Sequence, residues 1–359
     1  MSGQGAQIEY IDISKRYGAV EALRPTSLTI EAGEFFSIIG PSGSGKTTLL
    51  GVTAGYVPPS GGQILIDGRD VVGDAPFQRN IGMVFQNYAL FPHMTVAQNI
   101  GFPLRMRKAG KAEIAERVRK MLALVRLEEM ADRKPGQLSG GQQQRIALAR
   151  AAVYDPLMLL MDEPLSALDK NLREAMQDEV KQFQTVLGST VLYVTHDQAE
   201  AAAMSDRIAI MNHGRIVQIG SPRELYEHPV ARFVASFLGE ANIFDIAGVT
   251  AREGGATIAT RHGFSLVTAT SGGHAGQCVC VRPESVALSA SRPDHDNVLE
   301  GTVVDATYTA GSLRYRVALA PDSVITQRTP SVRGVEMFPH GARVFASWRA
   351  EDTLLVDDD

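Results

Sequence analysis

An α/β fold with a helical segment inserted into its sheet, followed by a small all-β module, is what this sequence predicts. Three observations carry that expectation. A glycine-rich turn, "GPSGSGKTT", follows the short apolar run "EFFSII" and opens a helical pattern. Short apolar runs ending at glycine or acidic residues then alternate with helical patterns, as a mainly parallel sheet with crossover helices requires. After about Gly239 the composition shifts towards Gly, Ser, Thr and Val, and the patterning alternates as in antiparallel hairpins.

Taken in order, "EFFSIIG" reads as a buried strand and "TTLLGVTAG" as the helix after the turn. "IGMVFQ" is a second strand. Between Phe91 and Arg150 strand patterns vanish; in "KAEIAERVRKMLALVRL", Ile114, Val118, Met121, Leu122 and Val125 fall at helical spacing. "LSGGQQQRIALAR", Leu138 to Arg150, opens with a serine and two glycines before another helical pattern. "LMLLMDEP" and "TVLYVTHD" are further buried strands, and "RIAIMNHGRIVQIG" closes the sheet. "YEHPVARFVASFLGEANIF" joins this region to the β module, where "GTVVDATYTAGSLRYRVAL" reads as a hairpin and "GARVFASWRAEDTLLV" as two more strands. The expected domains are 1–239, with its helical subdomain at about 91–150, and 240–359.

Composition limits what the chain can do. Thirty-five Lys and Arg against 40 Asp and Glu give a formal net charge of -5, the wrong balance for binding nucleic acid through bulk charge. The two cysteines, Cys278 and Cys280 in "QCVCVRP", share one face of an alternating strand. No His or Cys stands at zinc spacing to them, so strand packing is the reading. The N-terminus lacks the apolar core of a signal peptide. No stretch approaches the roughly 20 apolar residues that cross a bilayer, so a soluble, cytoplasmic protein is expected.

The chemistry concentrates in a few motifs. "GPSGSGKTT" fits G-x-x-x-x-G-K-S/T between a strand and a helix, where backbone N–H groups and the helix dipole cradle phosphates. Lys46 would reach the β- and γ-phosphates of a nucleotide, and the Thr47 hydroxyl would ligate Mg²⁺. "LMLLMDEP" ends in two carboxylates at the C-terminal edge of the sheet. Asp162 would hold Mg²⁺, and Glu163 would act as general base on the attacking water. His196, ending "LYVTH", would contact the γ-phosphate and orient that water. Gln86 ends its strand with a neutral side chain able to sense metal or water. Tyr17, in a loop, offers an aromatic face to adenine. The start of "LSGGQQQRIALAR" is a second anion site: free N–H groups at a helix start with a hydroxyl beside them.

The set resembles the nucleotide-binding subunit of an ATP-binding cassette (ABC) transporter over about residues 8 to 240. "KRYG" looks like the adenine-stacking loop, "GPSGSGKT" the Walker A, "VFQN" the glutamine loop and "LSGGQ" the family signature. "LLMDEP" looks like the Walker B, "SALD" the D-loop and "VTHD" the histidine switch. The resemblance implies a P-loop NTPase fold that binds and hydrolyses ATP with Mg²⁺. It also implies a head-to-tail dimer. ATP would lie between the loop of one copy (Gly40, Pro41, Ser42, Gly43, Ser44, Gly45, Lys46, Thr47 and Thr48) and the signature of the other. The signature residues are Ser139, Gly140, Gly141 and Gln142, and Asp169 would cross the interface. Gln86 would join Thr47 and Asp162 at the metal.

Lacking membrane spans, such a subunit borrows its pore from two transmembrane permease subunits, fed by a solute-binding protein. The β module resembles the OB-like transport-associated domain of importer ATPases of the maltose, polyamine and iron group, on "CVRPESVALS". "FPHMTVAQNIGFPLRMR" resembles the region that receives the permease's coupling helix, with Phe91, Met94, Val96 and Phe102 suited to an apolar groove. The wording is closest to spermidine/putrescine importers. Ferric-iron, sulfate and aminophosphonate importers share much of it, and a soluble non-transport ABC ATPase is the alternative of another class. The β module could in addition sense a small molecule or a partner protein. The resemblance places the protein peripherally at the cytoplasmic face of the inner membrane.

Overall fold

The computed structural model describes residues 5–271, 276–309, 311–331 and 337–358. The chain divides into two compact units, Met1–Arg223 and Glu224–Asp359. In the first, β1 (Ile8–Tyr17) and β2 (Val20–Ile30) form an antiparallel hairpin. With β4 (Gly61–Ile66) and β5 (Arg69–Asp70) they make a four-stranded sheet in the order β2-β1-β4-β5. A six-stranded sheet carries β3 (Phe35–Ile39), β6 (Ile81–Val84), β7 (Met158–Asp162), β8 (Thr190–Val194), β9 (Arg207–Asn212) and β10 (Arg215–Gly220). Its order is β10-β9-β3-β8-β7-β6, all parallel except the hairpin return β10.

Alternation in the central strands explains why the sheet is buried on both faces. Leu159, Met161, Val191 and Tyr193 enter one core, which also holds the helical segment. Met158, Leu160, Leu192 and Val194 enter the other, beneath α1 (Lys46–Ala54) and the four-stranded sheet. A strand with no polar face carries its polar residues only at its end, which is where Asp162 sits.

Between neighbouring strands β6 and β7 run α2 (Val96–Met106), α3 (Lys111–Leu124) and α4 (Gly140–Ala152). Thr95 and Gln98 cap α2 reciprocally. The buried Asn99 amide accepts from Phe91 N and donates to the carbonyls of Phe91, Met94 and Thr95, so it pins the approach loop to the helix. Val118, Met121, Leu122 and Val125 are buried and Ile114 packs against them, as their spacing predicts. After β7, α5 (Lys170–Leu187) and α6 (Gln198–Met204) flank β8. The C-terminal turn of α1 closes on Gly55 in left-handed conformation (φ 82°) and on a buried guanidinium. Arg79 donates to the carbonyls of Val52, Thr53, Val72 and Asp74. A Cβ on Gly55 would lie 2.8 Å from Arg79 Nε, so both features hold the same junction.

The second unit contains α8 (Arg232–Phe237), with α7 (Pro222–Glu227) straddling the division. Its strands are β11 (Asn242–Arg252), β12 (Gly255–Thr260), β13 (Ser265–Thr268), β14 (Gln277–Val281), β15 (Ala287–Ser289), β16 (Asn297–Thr309), β17 (Ser312–Ala320), β18 (Ser323–Pro330), β19 (Arg343–Trp348) and β20 (Leu354–Asp357). They form two five-stranded antiparallel sheets, β13-β12-β11-β14-β20 and β15-β19-β16-β17-β18. The expected hairpin is β16–β17, with Ala310 at its turn outside the described residues. Trp348, Phe244, Val317 and Tyr315 lie in the core between them. Cys278 and Cys280 point together into a small cluster with Ala235 of α8 and Val356. The buried Arg282 donates to the carbonyls of Tyr226, Ala235 and Glu240. It thereby fastens the segment before β11 to the β module. The structural division thus falls earlier than the 239/240 boundary read from composition, because that segment is helical yet packs with the strands after it.

Candidate active site

The phosphate loop joins β3 to α1. Gly45 has φ 103°, and a Cβ there would stand 2.6 Å from the Ala22 carbonyl oxygen, so the chain folds this closely only with glycine. Lys46 is 7% exposed, and its Nζ donates to the carbonyls of Gly40 and Pro41 at 2.8 and 2.9 Å. Burial pushes its pKa down, opposed by the charges of Glu163 and Asp162. Ser44 Oγ is buried without a hydrogen-bond partner. Pro41, Ser42, Gly43 and Thr47 are exposed along the loop and Thr48 is half-buried, so the loop presents backbone and hydroxyl groups on one side. A cradle of N–H groups, an ammonium and an orphaned hydroxyl fits the phosphates of a nucleotide.

Beside the loop, β7 delivers Asp162 at its last position and Glu163 just beyond. Glu163 takes a left-handed backbone (φ 45°), with its N–H donating to Val194 O at 2.8 Å. A glutamate in this conformation is strained, and such strain persists where surrounding bonds impose it. Its side chain gathers two predicted partners: His196 Nδ1 lies 3.0 Å from Oε1, and Gln86 Nε2 donates to Oε2 at 3.4 Å. Gln86 and His196 sit two residues past β6 and β8 rather than ending the strands, so both belong to the loops at the sheet's C-terminal edge. Burial, then the charge of Glu163, raises the Asp162 carboxyl above its ordinary range, while Lys46 pulls it down. Both carboxylates are partly buried, and that of Asp162 suits a divalent cation that also takes phosphate oxygens. No cluster of three or more metal-ligating side chains occurs among the described residues.

The helix start expected as a second anion site is an N-capped one. Ser139 is the N-cap of α4: its Oγ accepts from Gln142 N at 3.4 Å, and Gln142 Oε1 accepts from Ser139 N at 3.0 Å. Gly140 and Gly141 occupy the first turn, and Gly141 is buried against Leu172. Within one chain the signature serine therefore already serves its own helix, leaving its O–H proton to donate. Asp169 is exposed and likewise caps its own helix, accepting from Leu172 N at 3.0 Å. Tyr17 closes β1 at the hairpin turn rather than lying in a loop, and is 50% exposed. The structure brings Lys46, Asp162, Glu163, Gln86 and His196 into contact or charge interaction. Among the bonds of the described residues, none joins Ser139 or Asp169 to that group.

Several site residues escaped the sequence. Ser166 accepts from Gln86 and donates to the Glu163 carbonyl. Arg150, at the C-terminal end of α4, donates to the carbonyls of Tyr88 and Ala89, tying the signature helix to the glutamine loop. A cavity of about 800 Å³ opens beside it, lined by Tyr56, Phe77, Phe85, Phe91, Phe102 and Met106 among others. Of the groove residues expected from sequence, Phe91 and Phe102 line this cavity. Val96 is fully buried in the core, and Met94 does not line the cavity.

Comparison with known proteins finds matches in both units. The family model described as ABC transporter matches residues 23–166, and that described as TOBE domain matches 279–356. The chain is 48% identical over 331 residues to the spermidine/putrescine import ATP-binding protein PotA 1 of Pseudomonas aeruginosa, covering 89% of each chain. It is 44% identical to PotA of Thermobifida fusca, covering 97% of this chain and 92% of that protein. Among solved structures, a dimeric bacterial ABC transporter cassette matches with a TM-score of 0.54 and 35% identity, over 60% of this chain and 99% of that one. A dimeric post-hydrolysis cassette bound to ADP and Pi matches with a TM-score of 0.53 at the same identity and coverage.

Proposed function

This chain belongs to the ATP-binding subunits of ABC transporters, and from that premise we propose that it powers polyamine import as a nucleotide-sandwiching dimer. One observation carries the reading. Glu163, held in a left-handed turn, meets Gln86 and His196 at the sheet edge beside Lys46. In this reading Lys46 and the N–H groups of the Gly40–Thr48 loop bind and orient the phosphates, and Tyr17 stacks on adenine. Thr47, Asp162 and Gln86 would hold Mg²⁺, which would supply neutralisation of phosphate charge. Glu163 accepts the proton of the attacking water, and His196, held at 3.0 Å from that carboxylate, keeps the water and the γ-phosphate in line.

Ser139, Gly140, Gly141 and Gln142 of a second copy close over the γ-phosphate, with Asp169 reaching across the interface. The dimeric state of the matched cassettes supports this arrangement. The relatives, spermidine/putrescine import ATP-binding proteins, support spermidine or putrescine as the solute, recognised by a separate binding protein. Among the described residues no helix is long and apolar enough to cross a membrane. The aromatic cavity at Phe91 and Phe102 suits a short helix of a permease subunit, which would place the protein at the cytoplasmic membrane face.

Light scattering of Glu163→Gln tests the sandwich: saturating Mg-ATP converts monomer to dimer, and Ser139→Asp in the same background prevents it. A Glu163→Gln chain that binds ATP and stays monomeric overturns the shared site. The comparison is run also on residues 1–223, the first unit alone, where the β module cannot hold a dimer by itself. For the solute, loss of the gene lowers uptake of labelled spermidine while sulfate and ferric-iron uptake continue; the reverse pattern reassigns the cargo.

A further inference from the structure

In the first unit, the Arg173 guanidinium of α5 joins two loops. Its Nη2 donates to the Leu168 carbonyl at 3.0 Å, immediately before Asp169. Its Nη1 donates to Asp197 Oδ2 at 3.1 Å, immediately after His196. Its Nε lies 3.5 Å from Glu200 Oε1.

Each acidic partner is itself fixed to the histidine loop. Asp197 caps α6, accepting from Ala199 N and Glu200 N, and its own N–H donates to Thr195 Oγ1. Glu200 is 2% exposed, and its Oε2 accepts from Thr195 Oγ1 at 2.9 Å and from Tyr193 Oη at 2.7 Å. His196 thus stands between two residues anchored on one network, with Arg173 as the cation in bond or ion-pair contact with it.

We infer that Arg173 is a positioning residue that locks the His196 loop and the Asp169 loop into one rigid body behind the γ-phosphate. The inference rests on the functional reading above, in which His196 and Glu163 carry hydrolysis. A planar fork can donate to a carbonyl and a carboxylate while its Nε edge faces a second carboxylate in an ion pair without a hydrogen bond; an ammonium on a flexible stem cannot hold the same three directions. Arg173 touches neither water nor phosphate in this scheme. Its removal therefore misplaces the histidine during the chemical step and leaves the phosphate loop, which binds ATP, intact.

The test is steady-state hydrolysis by the full chain, with equilibrium binding of a fluorescent ATP analogue in parallel. Arg173→Lys and Asp197→Asn each lower kcat by about tenfold or more while the dissociation constant moves by about twofold at most. The double variant is no worse than the poorer single one, since both break one strut. Wild-type kcat in Arg173→Lys overturns the inference. So do losses of equal size in kcat and analogue binding, or fully additive effects. Should Arg173→Ala not fold, the lysine variant decides. Glu163→Gln is run alongside. If it hydrolyses at the wild-type rate, the functional reading itself fails; if it is inactive while Arg173→Lys is normal, only the strut fails.

Discussion

Asp162 shows how a single side chain in this site trades stability for chemistry. Burial and the neighbouring charge of Glu163 hold the Asp162 carboxyl above its ordinary range. The fold therefore favours the protonated form. That contribution is full below the ordinary carboxylate range and is lost as pH rises through the raised value. Asp162→Asn removes the penalty at every pH, so the variant should melt about 2 °C above wild type near pH 7.5. The gain should close as pH falls to about 4, while Mg-dependent hydrolysis is abolished; differential scanning calorimetry across pH checks it. At Tyr17, half-exposed at its hairpin, Tyr17→Ala should weaken ATP binding by about tenfold and Tyr17→Phe should not, because stacking needs only the ring. Residues with motif neighbours, such as Lys46 and Glu163, were legible in the sequence because their chemistry depends on local spacing. Arg173 and Ser166 were not: each acts through partners brought near by folding, and neither residue type in isolation signals that.

For elements, helix α4 is the clearest case: Ser139 caps it and, in the proposed dimer, would also face the γ-phosphate. Its N-cap and the reciprocal glutamine could be read from "SGGQ", since Ser and Gln three apart form a capping box. Ser139→Ala should cost about 1 kcal/mol of stability through the lost cap. Ser139→Asp keeps a good cap but sets an anion against the γ-phosphate, so its melting point should hold while ATP-driven dimerisation disappears. Denaturant titration and light scattering separate the two effects. At α1 the phosphate loop opens the helix and Arg79 closes it by four carbonyl bonds. Arg79→Met should therefore destabilise the unit by about 3 kcal/mol, measured by urea unfolding. Nothing near Arg79 marks it in the sequence, where it reads as one more surface cation. Buried cations that satisfy distant carbonyls are invisible to local pattern.

Across the whole molecule, composition revealed the change from α/β to all-β but misjudged which side the joining helices serve. α8 covers Cys278, Cys280 and Val356, and Arg282 bonds to three carbonyls in that segment. An isolated fragment 224–359 should consequently unfold in one sharp transition, whereas 240–359, stripped of this cover, should melt lower and more broadly by circular dichroism. Helical periodicity reports local structure and not the partner of its apolar face, so these helices do not declare their side in the sequence. Both thiols of this 359-residue chain lie in that covered patch. Burial raises the pKa of each, that of Cys280 to about 11, so neither offers a nucleophilic sulfur at neutral pH. A maleimide added to the intact protein will consequently find nothing to react with until β14 parts from α8. The molecule carries its own stopwatch, in which alkylation dates the opening of the C-terminal module while the ATPase half, free of cysteine, stays silent.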